Sequence, residues 1–299
     1  MDEYYIIQTE VLSNNRIKKI NYYVSILYDE DNYISVKFGN YRTTPCIEIT
    51  FQNDSEVAIL QNISNDIKCT ILEDTSIHEH DIIILIKISL NFIVSKYLHI
   101  KHFTFTDNST IYCSDKIKIC LADLSFIKYH HTWYEKNLGS IPDESNVLTI
   151  KFAKQQILEN INKKININKK NFIGLNKEYL IKNKIEEDKI DTIIKEIKKI
   201  FYEGISVYDY LFLFISKNIE CIYYSYLFNF FITNFLLGTS WIITKETILK
   251  YRIKYSYLTS KKKLSHKNII KRVKIFNNNK LKETKTYNYI EGSENVTYN

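Results

Sequence analysis

The stretch Leu121–Pro142, LADLSFIKYHHTWYEKNLGSIP, separates a strand-rich half of the sequence from a helix-rich half. Its apolar spacing predicts an amphipathic helix from Leu121 to Asn137. Asp123 is a residue type that caps helix starts, and Gly139 is the type that often follows helix ends. Pro142 comes shortly afterwards, where a helix cannot continue. We therefore predict one helix here, closing a mixed domain.

The residues before this stretch carry short strand patterns and one longer helix pattern. Runs rich in Tyr, Ile and Val alternate with turn residues such as those at 29–32, which is typical of an antiparallel meander. The residues at 52–55 predict a hairpin turn. Ile77–Tyr97 is apolar over most of its surface, as expected for a helix packed on a sheet. The predicted strands are Tyr4–Leu12, Asn21–Tyr28, Tyr33–Phe38, Cys46–Phe51, Val57–Ile63, Ile67–Leu72, His102–Thr106 and Ile117–Cys120.

The residues after the opening stretch carry mostly helix patterns. Val147–Phe152 is short and apolar and predicts one more strand. Lys154–Lys170 and Lys177–Tyr202 predict charged helices with Asn-rich breaks. Cys221–Ile243 contains no charged residue over 23 positions, a length that would span a bilayer. Its asparagines and one glycine favour a buried helix pair instead, with lipid contact as the alternative.

Together these patterns predict an α+β fold. Residues 1–150 would form a mostly antiparallel sheet covered by two helices, Ile77–Tyr97 and Leu121–Asn137. Residues 151–258 would form a mainly helical domain. Residues 259–299 lose apolar periodicity and would form a basic, flexible C-terminal segment.

The net charge of +7 is concentrated near the C-terminus. Residues 1–140 carry 13 Lys/Arg and 18 Asp/Glu, whereas residues 245–285 carry 14 Lys/Arg and only Glu246 and Glu283. Such a segment binds nucleic-acid phosphates, an acidic protein or an anionic membrane surface, or it is a solvated tail. The candidate contact residues are Lys261, Lys262, Lys263, Lys271, Arg272 and Lys274.

The cysteines point to a reducing compartment. Their number is odd, they are scattered, and no pair has the CxxC spacing; they are Cys46, Cys69, Cys113, Cys120 and Cys221. The first residues are acidic and strand-like, unlike a secretory signal peptide. We therefore predict free thiols and an intracellular location.

Several kinds of site are excluded by spacing. The six glycines stand at least about 30 residues apart, so neither a P-loop nor a dinucleotide fingerprint is present. No GxSxG nucleophile motif occurs. The histidines and cysteines lack zinc-site spacing, so no metal ligands are predicted.

The sequence ends its second predicted helix with Trp133-Tyr134-Glu135-Lys136-Asn137-Leu138-Gly139. Over residues 45–141, the order strand, long helix, strand and this helix resembles the later half of the GNAT-type N-acetyltransferase fold. In that family the N-terminus of the long helix holds the pyrophosphate of acetyl-CoA, which implies Ser76, Ile77 and His78 as cofactor-binding residues. The match also implies Tyr134 as the general acid that protonates the departing thiolate of CoA. A water or a strand carboxylate such as Glu48 would be the base.

The start of the long helix departs from the family pattern. The family has a Gln/Arg-x-x-Gly-x-Gly/Ala turn there, whereas residues 74–81 of this chain contain no glycine. Glycine lets a backbone approach a phosphate closely, and Glu73, Asp74, Glu79 and Asp81 would repel one. We therefore predict a non-enzymatic binding or structural module on a degenerate acetyltransferase-like scaffold, with no cofactor. The alternatives are an N-acetyltransferase that uses acetyl-CoA with an atypical cradle, and a nucleic-acid-associated protein acting through residues 245–285.

The composition carries a second resemblance. The abundance of Ile, Lys, Asn and Tyr, together with the TWYEKNLGSIP segment, is similar to that of proteins encoded by AT-rich large DNA viruses of protists. This resemblance implies a location in the host cytoplasm or the virion. It implies no particular activity.

Overall fold

The computed structural model describes residues 2–13, 16–39, 45–64, 79–232, 234–251, 253–260, 272–277, 280–290 and 293–297. The chain forms two compact units. Unit 1 comprises Met1–Phe105 and Ile242–Asn299, and unit 2 comprises Thr106–Trp241. The predicted boundaries at 150 and 258 differ from this division, since the C-terminal residues return to the first unit.

Unit 1 is built on a mostly antiparallel sheet. Its first part comprises β1 (Glu3–Ser13), β2 (Arg16–Tyr28), β3 (Tyr33–Gly39), β4 (Ile47–Gln52), β5 (Val57–Ile63), α1 (Glu79–Lys96) and β6 (His102–Asp107). Its last part comprises β10 (Thr239–Thr244), α9 (Lys245–Leu249), β11 (Lys254–Ser260), β12 (Arg272–Asn277), β13 (Lys280–Ile290) and β14 (Ser293–Thr297). The strand order is β14-β13-β12-β11-β1-β2-β3-β4-β5-β6-β10. The strands β6 and β10 each cross the boundary between the units.

Alternation along the strands decides which face of the sheet is buried. In β3, Ile34, Val36 and Phe38 are buried and the intervening side chains are exposed or half-buried. Helix α1 packs on the buried face, where the Phe92 ring lies 5.8 Å from the Phe38 ring in an edge-to-face contact. The Tyr255 hydroxyl donates a hydrogen bond of 2.9 Å to the Asn91 side chain of α1. The predicted cover of the sheet by the first helix is thus confirmed.

The C-terminal residues differ from the prediction. Antiparallel pairing joins β11 to β1, with Tyr5 opposite Thr259, and β12 to β11, with Leu258 opposite Val273. The described part of the predicted flexible segment therefore forms strands, which extend the sheet beyond β1. The predicted strand Ile67–Leu72 lies outside the described residues.

Unit 2 is mainly helical. Its elements are β7 (Thr110–Tyr112), β8 (Lys118–Cys120), α2 (Leu121–Tyr129), α3 (Trp133–Leu138), β9 (Ile141–Pro142), α4 (Val147–Ile161), α5 (Lys169–Lys182), α6 (Glu187–Ile200), α7 (Val207–Ile215) and α8 (Ser225–Phe231). The strand prediction for Val147–Phe152 is wrong, because its apolar pattern continues at helical spacing through Ile157 to Ile161. The predicted helix Lys177–Tyr202 is interrupted between α5 and α6, where Lys184 has a left-handed backbone (φ 60°).

The uncharged stretch Cys221–Ile243 is not a helix pair. It contains a 3₁₀ turn at Cys221–Tyr223, helix α8 and most of strand β10. Among the described helices, none combines the length and apolar character that crossing a bilayer requires.

Candidate functional site

The opening stretch folds as two helices rather than the single predicted helix. Helix α2 ends at His130, whose backbone is left-handed (φ 58°). Thr132 then caps α3 by accepting the Glu135 N–H, while the Glu135 carboxylate accepts the Thr132 N–H at 2.7 Å. This reciprocal capping box starts a new helix immediately after the break. Gly139 ends α3 with φ 65°, as predicted.

Asp123 is not the helix cap that its position suggested. Cys120 occupies the cap position of α2, and Asp123 lies inside the first turn with no exposed surface. Its Oδ1 atom accepts the backbone N–H of Leu236 at 2.9 Å. Its Oδ2 atom has no hydrogen-bond partner among the described residues. The carboxyl group thus ties α2 to the loop at 234–238, which leads into β10.

Asp107, at the end of β6, is a second buried carboxyl group in unit 2. Only 1% of its surface is exposed, and its Oδ1 atom accepts the backbone N–H of Ser109 at 3.0 Å. Its Oδ2 atom has no partner in the described structure. The Asp107 carbonyl accepts the Gly238 N–H at 2.8 Å. Asp107 therefore holds the far end of the loop that Asp123 holds in its middle.

Burial and neighbouring groups shift the pKa values of these residues. Burial raises the pKa of Asp123 to about 7, and the negative charge of Asp107 adds to this effect. Burial also raises the pKa of Asp107, although the Ser109 hydroxyl and N–H oppose that rise. Burial, reinforced by Asp123 and Asp107, raises the pKa of the Cys120 thiol to about 12. Such a thiol stays protonated and is a poor nucleophile at neutral pH.

Tyr134, the predicted general acid, lies in α3 beside this cluster. It is 8% exposed, and burial followed by the charge of Asp107 raises the pKa of its hydroxyl. A general acid works best with a pKa close to the working pH. The role of Tyr134 as a general acid stays a prediction. Its burial near Asp107 makes proton donation less favourable.

Glu48, the predicted base, belongs to unit 1. It lies on the open face of the sheet, where it accepts the Ser35 hydroxyl at 3.1 Å and lies 3.4 Å from Lys37 Nζ. A groove of about 470 Å³ surrounds it, lined also by Tyr28, Tyr33, Thr50 and Gln61. The Gln61 amide donates to the Thr50 hydroxyl at 3.0 Å. The polar groups on the groove floor therefore pair with one another.

Most other predicted site residues lie outside the described residues. These are Ser76, Ile77 and His78 of the expected cofactor cradle, and Lys261, Lys262, Lys263 and Lys271 of the basic segment. Arg272 and Lys274 are in β12, two positions apart in the sequence. The predicted nucleic-acid or acidic partner of residues 245–285 stays a prediction.

The prediction of free thiols is wrong for Cys113 and Cys221. These residues form a disulfide between Cα atoms 5.3 Å apart, across a sequence separation of 108 residues. Cys46 also takes part in a disulfide, whereas Cys120 is a buried free thiol. Scattered spacing concealed the pair, because disulfide partners are brought together by the fold rather than by sequence proximity. Within the described residues, no three His, Cys, Asp or Glu side chains meet in a way that would hold a metal ion.

Strands β5 and β6 form a parallel pair joined through α1. Their ladder contains Val57 opposite His102, Ala58 opposite Phe103 and Ile59 opposite Thr104. Strand β5 then continues to Ile63 and β6 to Asp107 without further pairing between them. On its other side β5 has a bulge, since Glu48 pairs with Asn62 and Ile49 with Leu60. Gln61 is therefore the extra residue, with no β4 residue opposite it in the ladder.

Comparisons with known proteins identified no family for this chain. No protein-family model, no curated protein and no solved structure matches the chain.

Proposed function

We propose that the chain binds acetyl-CoA, or a closely related acyl-CoA, where the β5–β6 ladder stops. The early end of this ladder is the observation that carries the proposal. Parallel strands joined by a helix commonly bind ligands at their carboxyl ends, which is where these two strands part. The pantetheine arm of CoA contains two amide groups in an extended chain. An extended arm of this kind can hydrogen-bond to strand backbone through its amide groups.

An acetyltransferase-like scaffold is consistent with this site. The sequence order strand, long helix, strand and Trp133–Gly139 segment resembles that family. The acidic residues at the predicted start of the long helix oppose a phosphate, so we place the main contact on the strands. N-acetyl transfer is then the reaction that this scaffold would serve.

Isothermal titration with acetyl-CoA tests the proposal. We expect binding in the micromolar range for the full chain, and its loss in Gln61→Pro. That substitution removes the N–H of the bulged residue, which has no β4 residue opposite it in the ladder. Gln61→Ala is the matched control, because it loses only the side-chain bond to Thr50 and keeps the N–H. Circular dichroism must show that both variants fold; absence of binding by the native chain, or equal binding by the two folded variants, would refute the site.

A second candidate is a binding module that performs no transfer, and the environment of Tyr134 favours it. Burial beside Asp107 raises the pKa of the tyrosine, so proton donation to a thiolate becomes unfavourable. Assays of CoA release with amine and peptide acceptors separate the candidates. Binding of acetyl-CoA without CoA release supports the module, whereas steady release supports the enzyme.

A further inference from the structure

Helices α5 and α6 of unit 2 form an antiparallel pair whose two ends differ in charge. A short loop joins them at one end, and at the other end the Phe172 ring stacks on the Phe201 ring with centroids 3.9 Å apart. Residues 160–171 and 195–209, which belong to this second end, contain seven lysines and three carboxylates. Residues 183–192, around the connecting loop, contain two lysines and four carboxylates. Positive charge is therefore concentrated where α5 begins and α6 ends.

Backbone hydrogen bonds bring together the segments that carry these lysines. The Ile165 N–H donates to the Ile205 carbonyl at 2.9 Å, and the Gly204 N–H donates to the Ile165 carbonyl at 3.0 Å. The Val207 N–H donates to the Lys163 carbonyl at 2.9 Å. The loop before α5 thus lies against the loop after α6, and the lysines share one end of the helix pair. They are Lys163, Lys164, Lys169, Lys170, Lys195, Lys198 and Lys199.

The seven lysine side chains are exposed, and most of them have no acidic partner. Lys199 lies 2.6 Å from Glu196, and no ion pair within the described residues involves the other six. Lys169 and Lys170 occupy the first turn of α5, which contains no acidic residue. Positive side chains are unfavourable there, because the start of a helix carries a partial positive charge. A bound polyanion would offset this repulsion.

Tyr202 adds an aromatic ring to the same end of unit 2. It follows α6 directly, and 59% of its surface is exposed. Proteins hold single-stranded nucleic acids by combining lysines that neutralise phosphates with aromatic rings that stack on bases. A duplex keeps its base faces stacked on one another, so the exposed ring favours a single strand. We propose that the seven lysines and Tyr202 form a binding surface for single-stranded nucleic acid.

Fluorescence anisotropy of the full chain with labelled oligo(dT) of about 20 nucleotides tests this surface. We expect binding that weakens on the order of 50-fold between about 50 and 200 mM salt, the value for about four neutralised phosphates on a single strand. The combined Lys169→Gln, Lys170→Gln and Lys198→Gln variant should bind at least about tenfold more weakly, with a shallower salt dependence. The matched control replaces Lys177, Lys182 and Lys189 by Gln. It removes the same charge from exposed positions on the same two helices and should change affinity by less than about twofold.

Tyr202→Leu gives a second, independent readout. It should weaken binding by about tenfold and leave the salt dependence unchanged, because stacking neutralises no phosphate. Circular dichroism checks that each variant folds. Equal affinities of the two triple variants would overturn the proposal, since binding would then lie elsewhere on the chain. Absence of oligonucleotide binding, equally tight binding of a duplex of the same length, or binding only to phosphatidylserine vesicles would also overturn it.

Discussion

The Nζ atom of Lys154 lies 2.6 Å from the Oε1 atom of Glu135 and so joins α4 to α3. The other carboxylate oxygen of Glu135 accepts the Thr132 N–H and completes the capping box. Both side chains are mostly shielded from water, which strengthens the pair relative to one on the surface. One carboxylate therefore both starts α3 and fixes the next helix against it.

Replacement of Glu135 by alanine should destabilise unit 2 by about 1–2 kcal/mol, since it removes both the cap and the ion pair. Glu135→Gln should cost less, because its amide oxygen can still accept the Thr132 N–H. Denaturant titration followed by tryptophan fluorescence measures the stability of both variants, because both tryptophans of the chain lie in unit 2. Equal losses for the two would show that the charge, rather than the cap, carries the effect.

The strands and the capping box show what the sequence can predict. The alternation of buried and exposed side chains in β3, with Ile34, Val36 and Phe38 buried, depends only on neighbouring residues and can be predicted from the sequence. Thr132 and Glu135 have capping-box spacing, a local signal that the prediction of one long helix overlooked. Local rules thus account for the sheet and could have located the break in the opening stretch.

Distant partners explain what the sequence could not provide. Asp123 is a residue type that often caps helices, but its hydrogen-bond partner Leu236 lies 113 positions away in the sequence. Cys113 and Cys221 are similarly remote, with no spacing motif between them. The partners of a buried carboxyl group or of a disulfide cysteine depend on which distant segments meet in the fold. The hydrophobic periodicity of the sequence carries no information on these contacts.

Loss of the Cys113–Cys221 disulfide should weaken unit 2 strongly. The disulfide closes a loop across 108 residues and so restricts the unfolded chain. By the chain-entropy relation, its loss should lower the free energy of unfolding by about 4–5 kcal/mol. We expect Cys113→Ser and Cys221→Ser to lower the denaturation midpoint equally, with no further loss in the double variant. Peptide mapping without reductant should recover the linked pair.

Cys120 provides the internal control for that experiment. It is a buried free thiol whose pKa burial raises to about 12, so alkylating reagents should modify it only after unfolding. Rapid labelling of Cys113 or Cys221 in the native, unreduced protein would contradict the disulfide.

Two glycines of unit 2 should respond in opposite directions to alanine. Gly174 lies inside α5 with open space around its Cα, so Gly174→Ala should stabilise the protein by about 0.5–1 kcal/mol. Gly238 has φ +77°, and Gly238→Ala should destabilise it by about 1–2 kcal/mol, although no close contact blocks the added methyl group. Urea midpoints followed by tryptophan fluorescence give both values. Stabilisation by Gly238→Ala would show that the loop at 234–238 does not need its left-handed residue.

Tyr134→Phe tests whether the hydroxyl group donates a proton. Loss of a working general acid lowers turnover by about 10²–10⁴-fold. Since Tyr134 is buried and its pKa is raised beside Asp107, we expect any CoA release from acetyl-CoA to change by less than about threefold. Tyr129→Phe is the matched control, because Tyr129 lies in the preceding helix and is 41% exposed. A hundredfold loss in Tyr134→Phe alone, with an unchanged melting temperature, would establish the acid role and identify the cluster around Asp107 as part of an active site.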